Sequence, residues 1–315
     1  MPSVVIARAF GGPEVLSVAD EPVPEPGLGE ARIRVRAAGV NPVDYKVYSG
    51  AMGADPARLP MRLGSEAAGV VTAVGPGAVG PAGPVAVGDD VIAFRVSGAY
   101  ATELVAPAAA LVPKPPALDW EQAAGLMLAG ATAWHALAAT DVQKGDTVLI
   151  HGAAGGVGLM AVQLAAARGA NIVATASPAR HDLLRGLGTA PVAYGAGLAE
   201  RVRATAPGGV DAALDLVGTE EAVDVSLAVV ADRGRIATIV AVPRGLQAGI
   251  KVLGGAPGAD PGTEIRAAAR LELARYAQDG RLKVFVTQTF PLADAAAAHH
   301  AIMTGHTTGK IALIP

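Results

Sequence analysis

The stretch His151–Ser177, "HGAAGGVGLMAVQLAAARGANIVATAS", decides how the chain is read. It runs as the end of an apolar strand, a glycine turn, a helix and a second strand. Aligned to a dinucleotide fingerprint, Ala153 takes the first glycine position, Gly155 the second and Gly158 the third. Gly155 lets backbone approach a pyrophosphate, and Gly158 lets the helix pack on the strand. The free amides at the helix start then face the phosphates. A glycine pattern alone is weak. Here it follows "TVLIH" and opens a helix, and a second strand ends at the distance a nucleotide fold requires.

The end of that second strand tells which dinucleotide is expected. An NAD site places Asp or Glu about twenty residues on, where it accepts hydrogen bonds from the ribose hydroxyls. This chain has Ser177, then Pro178, Ala179, Arg180 and His181, and its next acid, Asp182, falls inside the following helix. A carboxylate repels a 2′-phosphate, whereas a hydroxyl and a guanidinium hold one. The spacing predicts NADPH, with the alternative that Arg180 is only a solvated first-turn residue.

Outward from this stretch, the texture on either side differs. Before about Trp120, short β-rich runs ("SVVIARAF", "ARIRVRAAGV", "AAGVVTAVG", "DDVIAFRV") are divided by "EPVPEPGLGE" and "GPGAVGPAGPVAVG". The second of these reads as a surface loop. After Trp120, helix and strand alternate through "TVLIH", "NIVATAS", "PVAYG", "DAALDLVG" and "GRIATIVA", the pattern of a doubly wound parallel α/β sheet. "GIKVLGG" adds one more strand. "TEIRAAARLELARYAQDG" is a helix ended by Gly280, and "LKVFVTQTF", "LADAAAAHHAIMTG" and "KIALIP" close the chain as strand, helix, strand.

Composition narrows the class. The 315 residues are long enough for two domains, and 51% are apolar against 17% charged, which excludes disorder. A net charge of −3 gives no basic surplus for nucleic acid or an acidic membrane. Without cysteine there is no disulfide, thiolate nucleophile or cysteine-ligated zinc. "MPSVVIARAF" shows no charged leader followed by a long apolar segment, so no signal peptide is expected. The uncharged run Gln122–Thr140 is broken by Gly125, Gly130 and His135, so it reads as a buried helix and turn. A soluble cytoplasmic protein is expected.

With "VNPVDYKVYSG", "LGSEAAGVVTAVG", "GAYATE", "AAGGVG" and "TGKIAL" in this order, the chain resembles the zinc-free quinone oxidoreductases of the medium-chain dehydrogenase/reductase superfamily. The resemblance covers essentially the whole chain. It implies a Rossmann domain, residues 121–261, inserted in a GroES-like β-rich catalytic domain of residues 1–120 and 262–315, with cofactor and substrate in the cleft between them. Zinc members carry a cysteine near the position of Asn41 and a histidine at Ser65, and they add a four-cysteine loop, so no metal is expected here. His299 and His300 are adjacent on a helix and point about 100° apart. By the same resemblance Asn41 and Thr132 lie near the nicotinamide, and Ala154, Gly155, Gly156 and Val157 bind the pyrophosphate. Ser177, Arg180 and Tyr194 surround the 2′-phosphate. Val217, Gly218, Ile239, Val240 and Ala241 line the nicotinamide ribose. Two departures stand out: Ala179 replaces a basic residue, and "GTAPVAY" keeps Tyr194 but loses the family's acids.

Without a metal, hydrogen-bond donors must polarise the acceptor carbonyl while the nicotinamide delivers hydride. Some zinc-free relatives use a tyrosine just after the "SG" of the first motif, where this chain has Met52. Candidate catalytic residues are Asn41, Lys46 and Tyr48. Pro42 holds Asn41 extended, and Asp44 is read as a helix cap for "YKVYSG" as readily as a functional acid. Tyr48 has packing as its alternative, Lys46 has solvation, and Lys310 is left unassigned. The same resemblance implies that Met52 and Met61 form part of the entrance for a small apolar conjugated carbonyl. The leading reading is a quinone or enone reductase. Its alternatives are an enoyl-thioester reductase, including one of polyketide tailoring, and an NADPH-binding protein with negligible turnover. The strand "GIKVLGG" at a sheet edge predicts a homodimer.

Overall fold

The computed structural model describes residues 1–315, which divide into two units: Met1–Leu128 with Arg270–Pro315, and Ala129–Ala269. The sequence boundaries at 120/121 and 261/262 fall short of these divisions. The helices Met127–Ala139 and Thr263–Gln278 each run across a division, so neither is a loop.

In the first unit a seven-stranded sheet is built on the long strand Glu30–Val40. That strand pairs antiparallel with Glu66–Val74, Glu103–Pro107 and the returning Lys310–Ile314. Its side chains alternate in and out as far as Arg36 and are then buried without a break to Val40, because the helix Trp120–Ala124 covers that end. Gly39 permits the approach: a Cβ there would lie 2.3 Å from the Ala124 carbonyl oxygen. The core beneath this sheet gathers Ile33, Val35, Val40, Tyr48, Tyr100, Leu111, Ile311 and Leu313. The strand "DDVIAFRV" ends early, at Phe94, because Arg95 turns into the left-handed region (φ 61°). The loop "GPGAVGPAGPVAVG" contains a short hairpin, Val79–Gly80 against Gly83–Pro84.

The second unit is a six-stranded parallel sheet. Its spatial order is Ala190–Val192, Asn171–Thr175, Thr147–His151, Ala212–Asp215, Ile236–Thr238 and Lys251–Val252. The central strands are buried almost throughout, as expected where helices cover both faces. Lys251–Val252 is the outer strand, and it is only two residues long where "GIKVLGG" suggested seven. The chain order turns back between the Thr147–His151 and Ala212–Asp215 strands. In open α/β sheets that point is where ligands bind, beyond the carboxyl ends of the strands.

The run Gln122–Thr140 is two helical segments broken at Gly125. No helix in the chain is long and apolar enough to cross a membrane.

Candidate active site

In the parallel-sheet unit, the Thr147–His151 strand delivers the chain into Gly152, whose φ of 69° makes the turn, and the helix Gly156–Ala167 starts at its N-cap Gly155. Gly158 has no alternative residue: a Cβ there would sit 2.2 Å from the Gly152 carbonyl oxygen. Gly155 has room, its nearest neighbour for a Cβ being 3.4 Å away. No side chain caps this helix and its first turn carries no acid, so its orphan amides and positive dipole end stay available to an anion. Below the turn, His151 is buried and donates to or accepts from Thr175 Oγ1 through Nδ1 at 3.2 Å. Burial pulls its pKa down to about 4.

At the end of the neighbouring strand, Ser177 and Arg180 are half-buried. Asp182 is turned out to solvent and binds Arg185 at 2.6 Å, so no carboxylate occupies the strand end. His181 Nε2 lies 3.2 Å from the Ala176 carbonyl oxygen. Tyr194, 56% exposed, follows the adjacent strand Ala190–Val192.

The next two strand ends are tied together by a pair that sequence reasoning missed. Asp215 and Thr238 are fully buried. Thr238 Oγ1 donates to Asp215 Oδ2 at 2.7 Å, while Asp215 Oδ1 accepts from the amides of Val217 and Gly218. Thr238 Oγ1 in turn accepts from the amides of Val240 and Ala241, at 3.1 and 2.9 Å. One side-chain pair thereby shapes both segments predicted to line the nicotinamide ribose. Gly218 (φ 83°) lets them touch, since a Cβ on it would meet Val240 Cγ1 at 2.4 Å. Ile239 is half-buried beside them. The signal was present in "DLVG", an acid at the carboxyl end of a parallel strand.

Thr132 is almost fully buried, and its Oγ1 accepts from Arg266 Nη1 at 3.1 Å. Arg266 Nε also donates to His135 Nδ1 at 3.3 Å, which leaves Nε2 to donate to Asp260 at 3.1 Å. Burial lowers the His135 pKa, and the Asp260 bond opposes that.

The β-rich unit holds the candidate catalytic residues. Asn41 is 2% exposed and precedes the helix Pro42–Tyr48, which starts three residues earlier than "YKVYSG" suggested because Pro42 suits the first helical turn. Asp44 does cap this helix, but from the third helical position rather than as the N-cap residue: its Oδ2 accepts from the Asn41 amide at 2.9 Å. Pairing of Ile311 with Val40 carries Lys310 to Asn41. Lys310 Nζ donates to Asn41 Oδ1, to Glu66 Oε1 at 3.0 Å and to the Val40 carbonyl at 3.3 Å. Asn41 Nδ2 donates to Glu66 Oε1 at 3.0 Å and to the Gly39 carbonyl at 3.3 Å, and the Leu128 amide donates to Glu66 Oε2 at 2.8 Å. Glu66 was not singled out in the sequence. The clue was an acid opening the apolar run "EAAGVV", which had to be buried with a partner.

A second buried network adjoins the first. Ser65 Oγ and the Tyr100 hydroxyl donate to Asp44 at 2.5 and 2.9 Å. Because the Tyr100 proton goes to Asp44, its oxygen accepts from His299 Nε2 (3.1 Å), and His299 Nδ1 accepts from the Tyr48 hydroxyl (2.7 Å). Burial raises the Asp44 pKa to about 6, and burial lowers that of His299 to about 4. The Tyr48 hydroxyl is thus enclosed and committed to His299, with burial raising its pKa. Lys46, on the same helix, is half-buried and forms no ion pair. Met52 is exposed, but Met61 pairs across to Ala7 and packs in the core, so it lines no entrance. Of the two adjacent histidines only His299 is buried, and His300 faces solvent. No three His, Asp or Glu side chains converge to hold a metal ion.

Comparison with known proteins gives consistent results. The alcohol dehydrogenase GroES-like domain family matches residues 27–116, and the zinc-binding dehydrogenase family matches residues 187–313. A quinone oxidoreductase of Pseudomonas aeruginosa is 36% identical over 98% of both chains. A phthioceranic/hydroxyphthioceranic acid synthase of Mycobacterium tuberculosis is 40% identical over 68% of this chain, which spans 10% of that relative. Among solved structures, an Escherichia coli quinone oxidoreductase complexed with NADPH superposes with a TM-score of 0.85 at 30% identity, covering 99% of this chain and 100% of the other. An NAD-dependent alcohol dehydrogenase superposes with a TM-score of 0.86 at 32% identity, covering 99% of each. Fold alone therefore does not choose the dinucleotide.

Proposed function

The chain belongs to the quinone oxidoreductase family of the medium-chain dehydrogenase/reductase superfamily, and on that premise we propose that it is an NADPH-dependent reductase acting on a quinone or an α,β-unsaturated carbonyl. One observation carries the reading. Where an NAD site needs a carboxylate, the end of the Asn171–Thr175 strand offers Ser177 and Arg180, and the next acid along the chain, Asp182, points to solvent.

The residues present fit the cofactor. The uncapped helix start at Gly155–Val157 suits a pyrophosphate, and Gly158 is the position a Cβ would fill. Ser177, Arg180 and Tyr194 would hold the 2′-phosphate. The segments at Val217–Gly218 and Ile239–Ala241, shaped by Asp215 and Thr238, would line the nicotinamide ribose, with Thr132 at the nicotinamide end. When bound, the reduced nicotinamide supplies the hydride.

The protein's own work is on the acceptor oxygen and the proton. Lys310 and Glu66 fix the Asn41 carboxamide, and its 3.3 Å bond to the Gly39 carbonyl is the longer of its two donations. That hydrogen is the one Asn41 can redirect to an acceptor oxygen. Lys46, with no ion-pair partner, is the second candidate donor. Tyr48 can contribute only by giving up His299.

A second reading, reduction of an enoyl thioester, is favoured by the likeness to the acid synthase, and the edge position of the strand Lys251–Val252 in its sheet supports a homodimer. The test is anaerobic NADPH oxidation with a simple quinone, an enone and an enoyl thioester, with products identified by mass spectrometry and NADH run in parallel. Turnover confined to the thioester selects the second reading. Binding of NADPH with no acceptor reduced leaves a nucleotide-binding protein and removes the reductase.

A further inference from the structure

Between the strand Ala190–Val192 and the helix Leu198–Thr205, the segment Ala193–Gly197 contains Tyr194 and two left-handed glycines, Gly195 (φ 99°) and Gly197 (φ 79°). The parallel register pairs Thr175 with Val192, and the Ala176 amide donates to the Val192 carbonyl at 3.1 Å. Ser177 and Tyr194, each two residues further along, therefore leave neighbouring strand ends together. A short segment with two glycines has little conformation of its own. What holds it comes from outside.

Arg201, one turn into the following helix, supplies most of that hold. Its Nε and Nη2 donate to the Ala193 carbonyl at 3.1 and 2.8 Å. Nη2 also donates to Gly195 at 2.8 Å and Nη1 to Ala196 at 2.7 Å. From the other side, Glu221 Oε2 accepts from the Gly195 amide at 3.0 Å. The carbonyls on both sides of Tyr194 are thus gripped by one guanidinium. Four of its five N–H groups are committed to backbone, so Arg201 is not built to take the phosphate itself. No carboxylate oxygen lies within ion-pair distance of it, and Glu221 reaches the segment through the Gly195 amide instead.

We propose that Arg201 is a positioning residue for nucleotide selectivity: it moulds the Ala193–Gly197 segment so that Tyr194 stands beside Ser177 and Arg180, favouring a nucleotide with a 2′-phosphate. This rests on the cofactor reading above. A lysine cannot substitute, because a point donor does not span three carbonyls.

The experiment is calorimetric titration of the full chain with NADPH, NADH, 2′,5′-ADP and 5′-ADP. The variants are Arg201→Gln, Arg201→Lys, Tyr194→Ala and the double Arg201→Gln/Tyr194→Ala. Arg201→Gln should weaken NADPH and 2′,5′-ADP roughly tenfold, while NADH and 5′-ADP change less than about twofold. The double variant should bind NADPH no more weakly than the worse single, since Arg201 acts through Tyr194. Should Arg201→Gln not fold, Arg201→Lys carries the same comparison with a smaller loss. Equal weakening of NADPH and NADH, or losses that multiply in the double variant, would mean a merely structural arginine and overturn the proposal. A wild-type chain that binds NADH as tightly as NADPH overturns the cofactor reading and this proposal together. A wild-type preference for NADPH that survives in Arg201→Gln overturns only this one.

Discussion

At Glu66 three donors converge on a carboxylate with no exposed surface: Asn41, Lys310 and the Leu128 amide. A buried ion pair is weak evidence of net stability, but removing one partner strands the other charge. Lys310→Met should cost about 3–5 kcal/mol in urea unfolding. The double variant Lys310→Met/Glu66→Gln should recover at least about half of that, because the stranded charge is gone. Equal losses in both would show that packing of the lysine stem, not charge, is what matters. Gly158 poses the other test at this scale. Its missing Cβ is what lets the helix start meet Gly152, so Gly158→Ala should weaken nucleotide binding at least tenfold, read by titration. Undiminished affinity would mean the turn shifts freely.

Among the elements, the helix Ala295–Met303 is joined to the helix Pro42–Tyr48 by the chain Tyr48–His299–Tyr100–Asp44. Its two titrating ends work against each other. His299 is held neutral by burial down to about pH 4. The unfolded chain takes up that proton near pH 6.5. This group therefore loses stability as pH falls from 6.5 to 4. Asp44 is the reverse: burial raises its pKa to about 6, against 3.8 unfolded, so acidification from 6 to 4 relieves its cost. Each slope is about 1.4 kcal/mol per pH unit, and the two largely cancel between pH 6 and 4. His151, buried in the other unit with a pKa near 4, adds to the His299 direction. Asp44→Asn should expose a steep loss of stability over that window, and His299→Asn should leave a nearly flat profile, since Asp44 then opposes His151 alone. Denaturation midpoints measured from pH 4 to 7 read both, and parallel profiles for the two variants would contradict the opposition.

For the molecule as a whole, the absence of cysteine and of a convergent ligand cluster gives a clear expectation: exhaustive chelation should leave NADPH oxidation unchanged. Loss of activity restored by zinc would reverse it. Lys251–Val252 is an edge strand whose outer side is partly covered by bonds of Val252 and Gly254 to Asp260, and if the rest of that edge pairs with a second copy, light scattering should give twice the chain mass. A monomeric mass would show that the two-residue strand is too short to pair.

What the sequence by itself determined is everything with short range. The glycine turn, the missing carboxylate at Ser177 and the alternation of helix and strand are written within stretches of some thirty residues, and their backbone geometry follows from local residue type. The tertiary structure alone decided who partners whom. Lys310 meets Asn41 across 269 positions, and Tyr48 meets His299 across 251. Whether "DYKVYSG" offers a free phenol or a buried one depends on a helix near the other end of the chain. Even Arg201, only seven residues from Tyr194, could not be told from a solvated helix residue in the sequence. Its role depends on two left-handed glycines bending three carbonyls toward one guanidinium. Local pattern sets where the backbone goes. The side chains that complete each other's hydrogen bonds are settled only when the sheet brings distant strands into register.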